Sequence, residues 1–226
     1  MFRYFSKAEL ILWFSSVFFI LASFLIFDRE NYLTLTASLI GATSLILNAK
    51  GNPLGQLLII IFSLLYGYIS LSFKYYGEMI TYVGMSAPMA LFALIAWLRN
   101  PYNGNRAEVR VGYMSKRDVV FMIILTVIVT VIFYFILRAF DTANLIPSTL
   151  SVTTSFLAVY LTFRRNEYYA LCYAANDIVL IVLWVLAAMK DISYLSVIIC
   201  FIAFLANDLY GFYNWKKMKK RQKSGC

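Results

Sequence analysis

The strongest constraint in this chain is a succession of eight apolar blocks, at 9–27, 32–49, 53–73, 77–98, 118–140, 145–163, 168–189 and 192–213. Each is about twenty residues long, the length a helix needs to cross a bilayer core of roughly 30 Å. A helix on the surface of a soluble domain carries a polar face on every turn, whereas most of these blocks are apolar all round. Only 14% of the residues are charged and 62% are hydrophobic, against about a quarter charged in a soluble domain. The blocks are therefore read as membrane-spanning helices.

Turn and charge signals separate the blocks: Asp28 to Asn31, Lys50 to Pro53, Lys74, Arg164 to Glu167, and Lys190 with Asp191. Most connections are very short, so neighbouring spans form antiparallel hairpins, and the one long loop is 99–117. The first block follows Arg3 and Lys7 as a signal peptide would. Its apolar run exceeds a typical signal core and no small-x-small cleavage site follows, so a retained helix is expected.

The net charge of +9 finds its explanation in topology. Eight spans place sixteen of the twenty Lys and Arg on one side, including Lys50, Arg164, Arg165 and the six of the tail, and leave Arg29, Lys74, Arg138 and Lys190 on the other. Cytoplasmic loops carry the basic excess, so both termini and the long loop are expected in the cytoplasm. The basic tail then serves orientation and contact with membrane lipid, with no nucleic-acid partner expected. Histidine is absent, and Cys172, Cys200 and Cys226 have no metal-ligand spacing. The first two lie in apolar blocks and read as packing residues rather than a disulfide framework. No cofactor is expected.

The plan of the chain repeats. Residues 32–98 supply three spans, 99–144 a basic loop and a lone span, and 145–215 three more spans. They are preceded by a terminal segment and extra helix at 1–31 and followed by a basic tail at 216–226. A shift of about 115 residues sets Asn48, Ala49 and Lys50 against Phe163, Arg164 and Arg165, and Trp97 near Tyr213. Both triplets start on the same side, which makes a parallel repeat, a known transporter plan that includes the SWEETs.

Of eleven carboxylates, only Asp177 and Asp208 lie well inside spans, each in an Ala-Asn-Asp tripeptide with Asn176 or Asn207. A carboxylate at bilayer depth is costly and usually serves a cavity. Helical spacing of seven aligns Tyr169 with Asn176 and Asp177 with Trp184, with Tyr173 between. This sector suits a flat ring bearing hydrogen-bonding groups, and a cationic one through cation–π contact. Span three offers Gln56, Ser63 and Ser70 at sevenfold spacing, with Tyr66 and Gly67 beside them, and span six adds Ser151, Ser155, Ala158 and Thr162. Ser and Thr in spans two and six also fit plain helix packing, and Asn207 with Asp208 also fits bonding between neighbouring helices. Tyr75, Tyr76, Tyr168 and Tyr213 read as an interfacial belt. The candidate substrate-binding residues are Asn176, Asp177, Tyr173, Tyr169, Trp184, Gln56, Tyr66, Asn207 and Asp208.

Three stretches carry a family resemblance. Asn52 to Gly55, Leu65 to Tyr68 and residues 74–79 resemble the first half of the Pnu (PnuC-type) vitamin transporters. The stretch from Arg164 through Tyr169 to Asn176 resembles their second-half signature, and Tyr210, Gly211 and Trp215 resemble their basic, aromatic exit. The resemblance covers most of 32–215. It implies an all-α integral membrane protein with a SWEET-like 3+1+3 parallel repeat, here with an extra N-terminal helix. It also implies facilitated diffusion of a vitamin precursor such as nicotinamide riboside, a homotrimer, and a bacterial cytoplasmic membrane. The family's two signature tryptophans read Tyr169 and Cys172 here, while its asparagine is kept as Asn176.

The leading expectation is a uniporter for a water-soluble vitamin or nucleoside, nicotinamide riboside first. Thiamine or riboflavin on the same fold, or a sugar on a SWEET-like fold, are the alternatives. No Walker pattern is present. A membrane enzyme is disfavoured because no histidine, metal cluster or paired loop carboxylates supply a catalytic constellation, and a retinal protein because no lysine lies inside a span.

Overall fold

A computed structural model describes residues 4–72, 76–142 and 144–224. Arg3, Phe73, Lys74, Tyr75 and Cys226, named above, lie outside the described residues, as does the side chain of Tyr76. Eight long apolar helices form a bundle: α1 Lys7–Phe27, α2 Tyr32–Ala49, α3 Pro53–Ser72, α4 Gly77–Leu98, α5 Lys116–Ala139, α6 Leu145–Phe163, α7 Tyr169–Ala188 and α8 Leu195–Ser224. A single turn of 3-10 helix, Ile192–Tyr194, leads into α8. All eight expected spans are present.

Capping explains where two of them begin. Ser6 and Glu9 form a capping box at α1, and Ser115 with Asp118 forms another at α5, each satisfying donors that the first turn leaves free. The lone helix α5 packs on α6, joined by Thr130 and Thr153 hydroxyls 2.9 Å apart. Its other faces expose Phe121, Ile124, Val127, Ile128, Val131 and Phe135, a surface that suits lipid and not water.

The all-α expectation holds, and the long loop adds a small antiparallel hairpin of β1 Pro101–Tyr102 and β2 Asn105–Val109. The basic tail is helical, because α8 continues to Ser224 and buries Trp215, Met218 and Gln222. At 1.5 Å per residue its 30 residues span about 45 Å, well beyond the hydrocarbon thickness. Gln222 accepts from Val111 N (2.8 Å) and donates to the Val109 carbonyl (3.1 Å), while Arg221 pairs with Glu108. Tyr4 donates to the Ala107 carbonyl at 3.0 Å. Both ends of the described chain, the long loop, Lys50 and Arg164 thus share one end of the bundle, as the charge distribution requires.

The connections after α2 and α6 share one turn geometry. After α2, Gly51 N and Asn52 N donate to the carbonyls of Asn48 and Leu47; after α6, Arg165 N and Asn166 N donate to those of Thr162 and Leu161. Gly51 (φ 67) and Arg165 (φ 56) are both left-handed, and Asn52 and Asn166 each accept through Oδ1 from the amide two residues on. The matching positions are 114 apart. The first helix of each triplet also packs on the third helix of the other, α2 on α8 and α6 on α4. The loop strand joins the two halves, since Val109 N donates to Gly51 O and Gly112 N to Arg165 O.

Three apolar clusters hold the bundle. One, at the end that carries the termini, contains Trp97, Val109, Val111, Leu161, Tyr169 and Trp215. A second joins α1, α2 and α8 through Ile20, Ala42, Leu45, Phe201 and Phe204, with Cys200 among them. The third joins α4, α5 and α6 through Met85, Leu137, Val152, Phe156 and Tyr160. Cys172 and Cys200 are free thiols that pack in apolar surroundings, as expected.

Candidate functional site

The end of the bundle opposite the termini is open. A cleft of about 710 Å³ begins there among Asp28, Asn31, Asp191 and Ser193, and descends past Ser70 and Tyr194. A second, narrower cleft runs deeper, to Ser148, Ser151, Ser155 and Asn176. The two share Tyr66, Glu78 and Trp184, so these three side chains stand at the junction.

Local structure of α4 shapes one wall. Residues Tyr82–Ser86 form a π-helical turn in which Ala87 N bonds the carbonyl of Tyr82. Pro88 follows, and its missing N–H and its ring displace the ordinary i−4 pattern. The widened turn sets Tyr82 and Ser86 on the deep cleft. Tyr82 stacks at 4.6 Å from Tyr66, and Trp184 at 5.3 Å from Tyr194, between ring centroids. Flat aromatic surfaces therefore flank the cleft at two levels.

Charge in the cleft has one sign. Asp28 and Asp191 line the mouth and Glu78 the junction, and among the described residues neither cleft is lined by a lysine or arginine. The Asp191 carboxylate accepts from Ser193 N at 2.9 Å, which holds it below the usual carboxylate range. Asp28 accepts from the Asn31 amide at 2.8 Å. In the deep cleft Ser151 Oγ and Thr154 Oγ1 lie 3.0 and 2.9 Å from Asn176 Oδ1.

Of the nine candidate residues, Asn176, Tyr66 and Trp184 reach the clefts. The other six lie elsewhere. Tyr169 is 2% exposed, sits in the cluster at the closed end 5.1 Å from Trp215, and donates to the Asn48 carbonyl. Tyr173 packs edge-on to Tyr169, beside Thr162 and Asp208. Gln56 donates to Asn48 Oδ1 at 2.8 Å, between α2 and α3. Asn207 donates to Ser16 Oγ at 2.8 Å and fastens α1 to α8. Asp177 and Asp208 are both buried and adjoin each other between α7 and α8. The physical reason is axial distance: each sevenfold step advances about 10 Å along a helix, so Gln56 and Ser70 share a face but stand at opposite ends of the bundle. Glu78, Tyr82, Asp28 and Asp191 were not among the candidates. The pairing of Gly84 with Pro88 inside an apolar block is the signal that marks the wall carrying Tyr82.

Eight membrane-length helices enclosing a polar, aromatic cleft mark a multi-pass membrane transporter. The family follows from comparison. Residues 31–217 match the model of the nicotinamide mononucleotide transporter family, and the chain belongs to that family. It is 27% identical to the nicotinamide riboside transporter PnuC of Neisseria mucosa over 201 residues, covering 87% of this chain and 76% of that protein. It is 25% identical to the nicotinamide riboside transporter PnuC of Haemophilus influenzae over 193 residues, covering 85% and 82%. The crystal structure of the vitamin B3 transporter PnuC shares the fold, with a TM-score of 0.82 and 23% identity over 96% of this chain and 94% of that one. At 96% coverage α1 too has a counterpart there, although it precedes the family match.

Proposed function

We propose that this chain carries nicotinamide riboside across a bacterial cytoplasmic membrane by facilitated diffusion, with both termini in the cytoplasm and the cleft facing outward. The observation that carries this reading is the cleft's charge: Asp28, Glu78 and Asp191 with Tyr66, Trp184 and Tyr194, and no basic side chain among the described lining residues. A pyridinium ring is flat and cationic, so carboxylates and ring faces both favour it. A nucleotide phosphate would meet only like charge there, which favours the nucleoside over the mononucleotide. The names of the two curated relatives agree with this choice. Asn176, Tyr66, Trp184 and Glu78 are the proposed contacts, and the packed end around Trp97, Tyr169 and Trp215 is the closed gate. We read the two triplets as a SWEET-like parallel repeat and the assembly as a homotrimer, on the family resemblance. Thiamine is the nearest competitor, because its thiazolium ring is also cationic.

Thermal unfolding of the purified protein tests the assignment against nicotinamide riboside, nicotinamide mononucleotide, thiamine, riboflavin and glucose. A ligand at a hundred times its Kd stabilises by about 2.7 kcal/mol. Nicotinamide riboside is expected to raise Tm, the mononucleotide to leave it unchanged, and Glu78→Gln to weaken the response. A shift with riboflavin or glucose and none with the riboside overturns the reading.

A further inference from the structure

Asn176 sits on α7 at the deep cleft, 7% exposed, with Ser148, Ser151 and Ser155 of α6 lining the same cleft beside it. Ser151 Oγ donates to Asn176 Oδ1 at 3.0 Å. Thr154 Oγ1 stands 2.9 Å from the same oxygen and shares its proton with the backbone carbonyls of Leu150 and Ser151, both at 3.0 Å. Ser151 and Thr154 are one helical turn apart, so both hydroxyls meet one oxygen from the same wall. Among the described residues no acceptor is bonded to Asn176 Nδ2. An amide held by its oxygen has its two N–H donors turned away from the holder, and Asn176 lines the deep cleft.

We propose that Ser151 and Thr154 are positioning residues that set specificity: by pinning Asn176 Oδ1 they present its amide as a hydrogen-bond donor, and the site selects a ring whose substituent offers a carbonyl acceptor. This rests on the nucleoside reading above and deepens it, since it assigns the recognition of the ring's carboxamide to the pair on α6 acting through Asn176. Without the two hydroxyls the amide is free to turn over and present either edge. The site then loses its preference between ring substituents rather than its ability to hold a cationic ring, because Glu78, Tyr66 and Trp184 are untouched. A substituent that accepts no hydrogen bond leaves a buried donor unpaired, and discrimination of this kind amounts to roughly tenfold or more in affinity.

The experiment compares the Kd of nicotinamide riboside with that of the pyridinium riboside lacking the carboxamide, for the full-length protein in detergent. Wild type is expected to favour the carboxamide ligand by about tenfold. The double variant Ser151→Ala, Thr154→Val is expected to bring the ratio to within about twofold, while Thr154→Ser keeps it. Tm of each unliganded variant, with the Kd of the ligand lacking the carboxamide as internal control, separates positioning from a damaged fold. A double variant that keeps the full ratio, or that weakens both ligands in proportion, overturns the inference and leaves the substrate reading standing. Absence of binding of either ligand to wild type overturns the substrate reading, and the inference with it.

Discussion

Trp97 and Trp215 lie 5.4 Å apart between ring centroids, and each bonds to the first helix of the other triplet. Trp97 Nε1 donates to the Thr162 carbonyl at 2.9 Å and Trp215 Nε1 to the Asn48 carbonyl at 2.8 Å. Both indoles are fully buried. The two indoles thus make matching contacts, each donating to a backbone carbonyl at the far end of the facing helix. Tyr213 is 65% exposed and faces outward, as an interfacial ring does.

Replacing either tryptophan should open this end of the bundle. Trp215→Phe keeps a ring and loses one buried hydrogen bond, at a cost of about 1 kcal/mol. Trp215→Ala should cost about 3–5 kcal/mol. The double variant Trp97→Ala, Trp215→Ala should cost less than the sum, because the two side chains share one contact. Tm in detergent reads all three, and strict additivity would contradict the coupling.

Helix α1 is fastened by a nearly buried ion pair. Glu9 is 2% exposed and accepts from Lys50 Nζ (3.1 Å), Tyr210 OH (2.9 Å) and Ser6 N (2.6 Å). Lys50→Met leaves the carboxylate without its cation, and a loss of about 2–4 kcal/mol is expected, less than for a fully dry pair because Lys50 is partly exposed. Adding Glu9→Gln should recover part of that loss. Chemical denaturation of the single and double variants checks the order, and a double variant worse than the single one would contradict it.

A hydrogen bond between the adjoining Asp177 and Asp208 requires a proton on one carboxyl, since two carboxylates cannot bond to each other. No basic group among the described residues is placed against the pair. Asp208→Asn supplies a permanent donor and should fold with wild-type Tm. Asp208→Ala leaves Asp177 without its partner and should cost about 1–3 kcal/mol. If Asp208→Asn were the more damaging variant, the shared bond would not be what holds α7 to α8 here.

Gly112 is where the long loop meets the second triplet. A Cβ there would stand 2.2 Å from the Arg164 carbonyl oxygen, a backbone atom that cannot swing aside. Gly112→Ala should push the loop off and break the Gly112 N to Arg165 O bond (2.8 Å), costing about 1–3 kcal/mol. Gly84→Ala, whose Cβ would meet Ile80 at an ordinary 3.7 Å, should leave Tm nearly unchanged. Proteolysis within 103–106 should accelerate in the first variant alone.

The sequence by itself determined the class of this protein. Eight apolar blocks without polar faces have no stable option but to span a bilayer as helices, so the spans and most of their ends were legible. The one-sided Lys and Arg placed both termini and the long loop together, and Asp177 and Asp208 stood out by cost alone. What only the tertiary structure decided is which polar residues meet. The same Ala-Asn-Asp tripeptide occurs twice, yet Asn176 faces the deep cleft while Asn207 ties α8 to Ser16 of α1. Gln56 and Ser70 share a stripe, but one meets Asn48 at the closed end and the other lines the open mouth. Periodicity fixes the azimuth of a side chain on its own helix. Its depth in the bundle and the helix it faces come from packing between distant segments, and that packing brings Glu78, Tyr66 and Trp184 to one cleft.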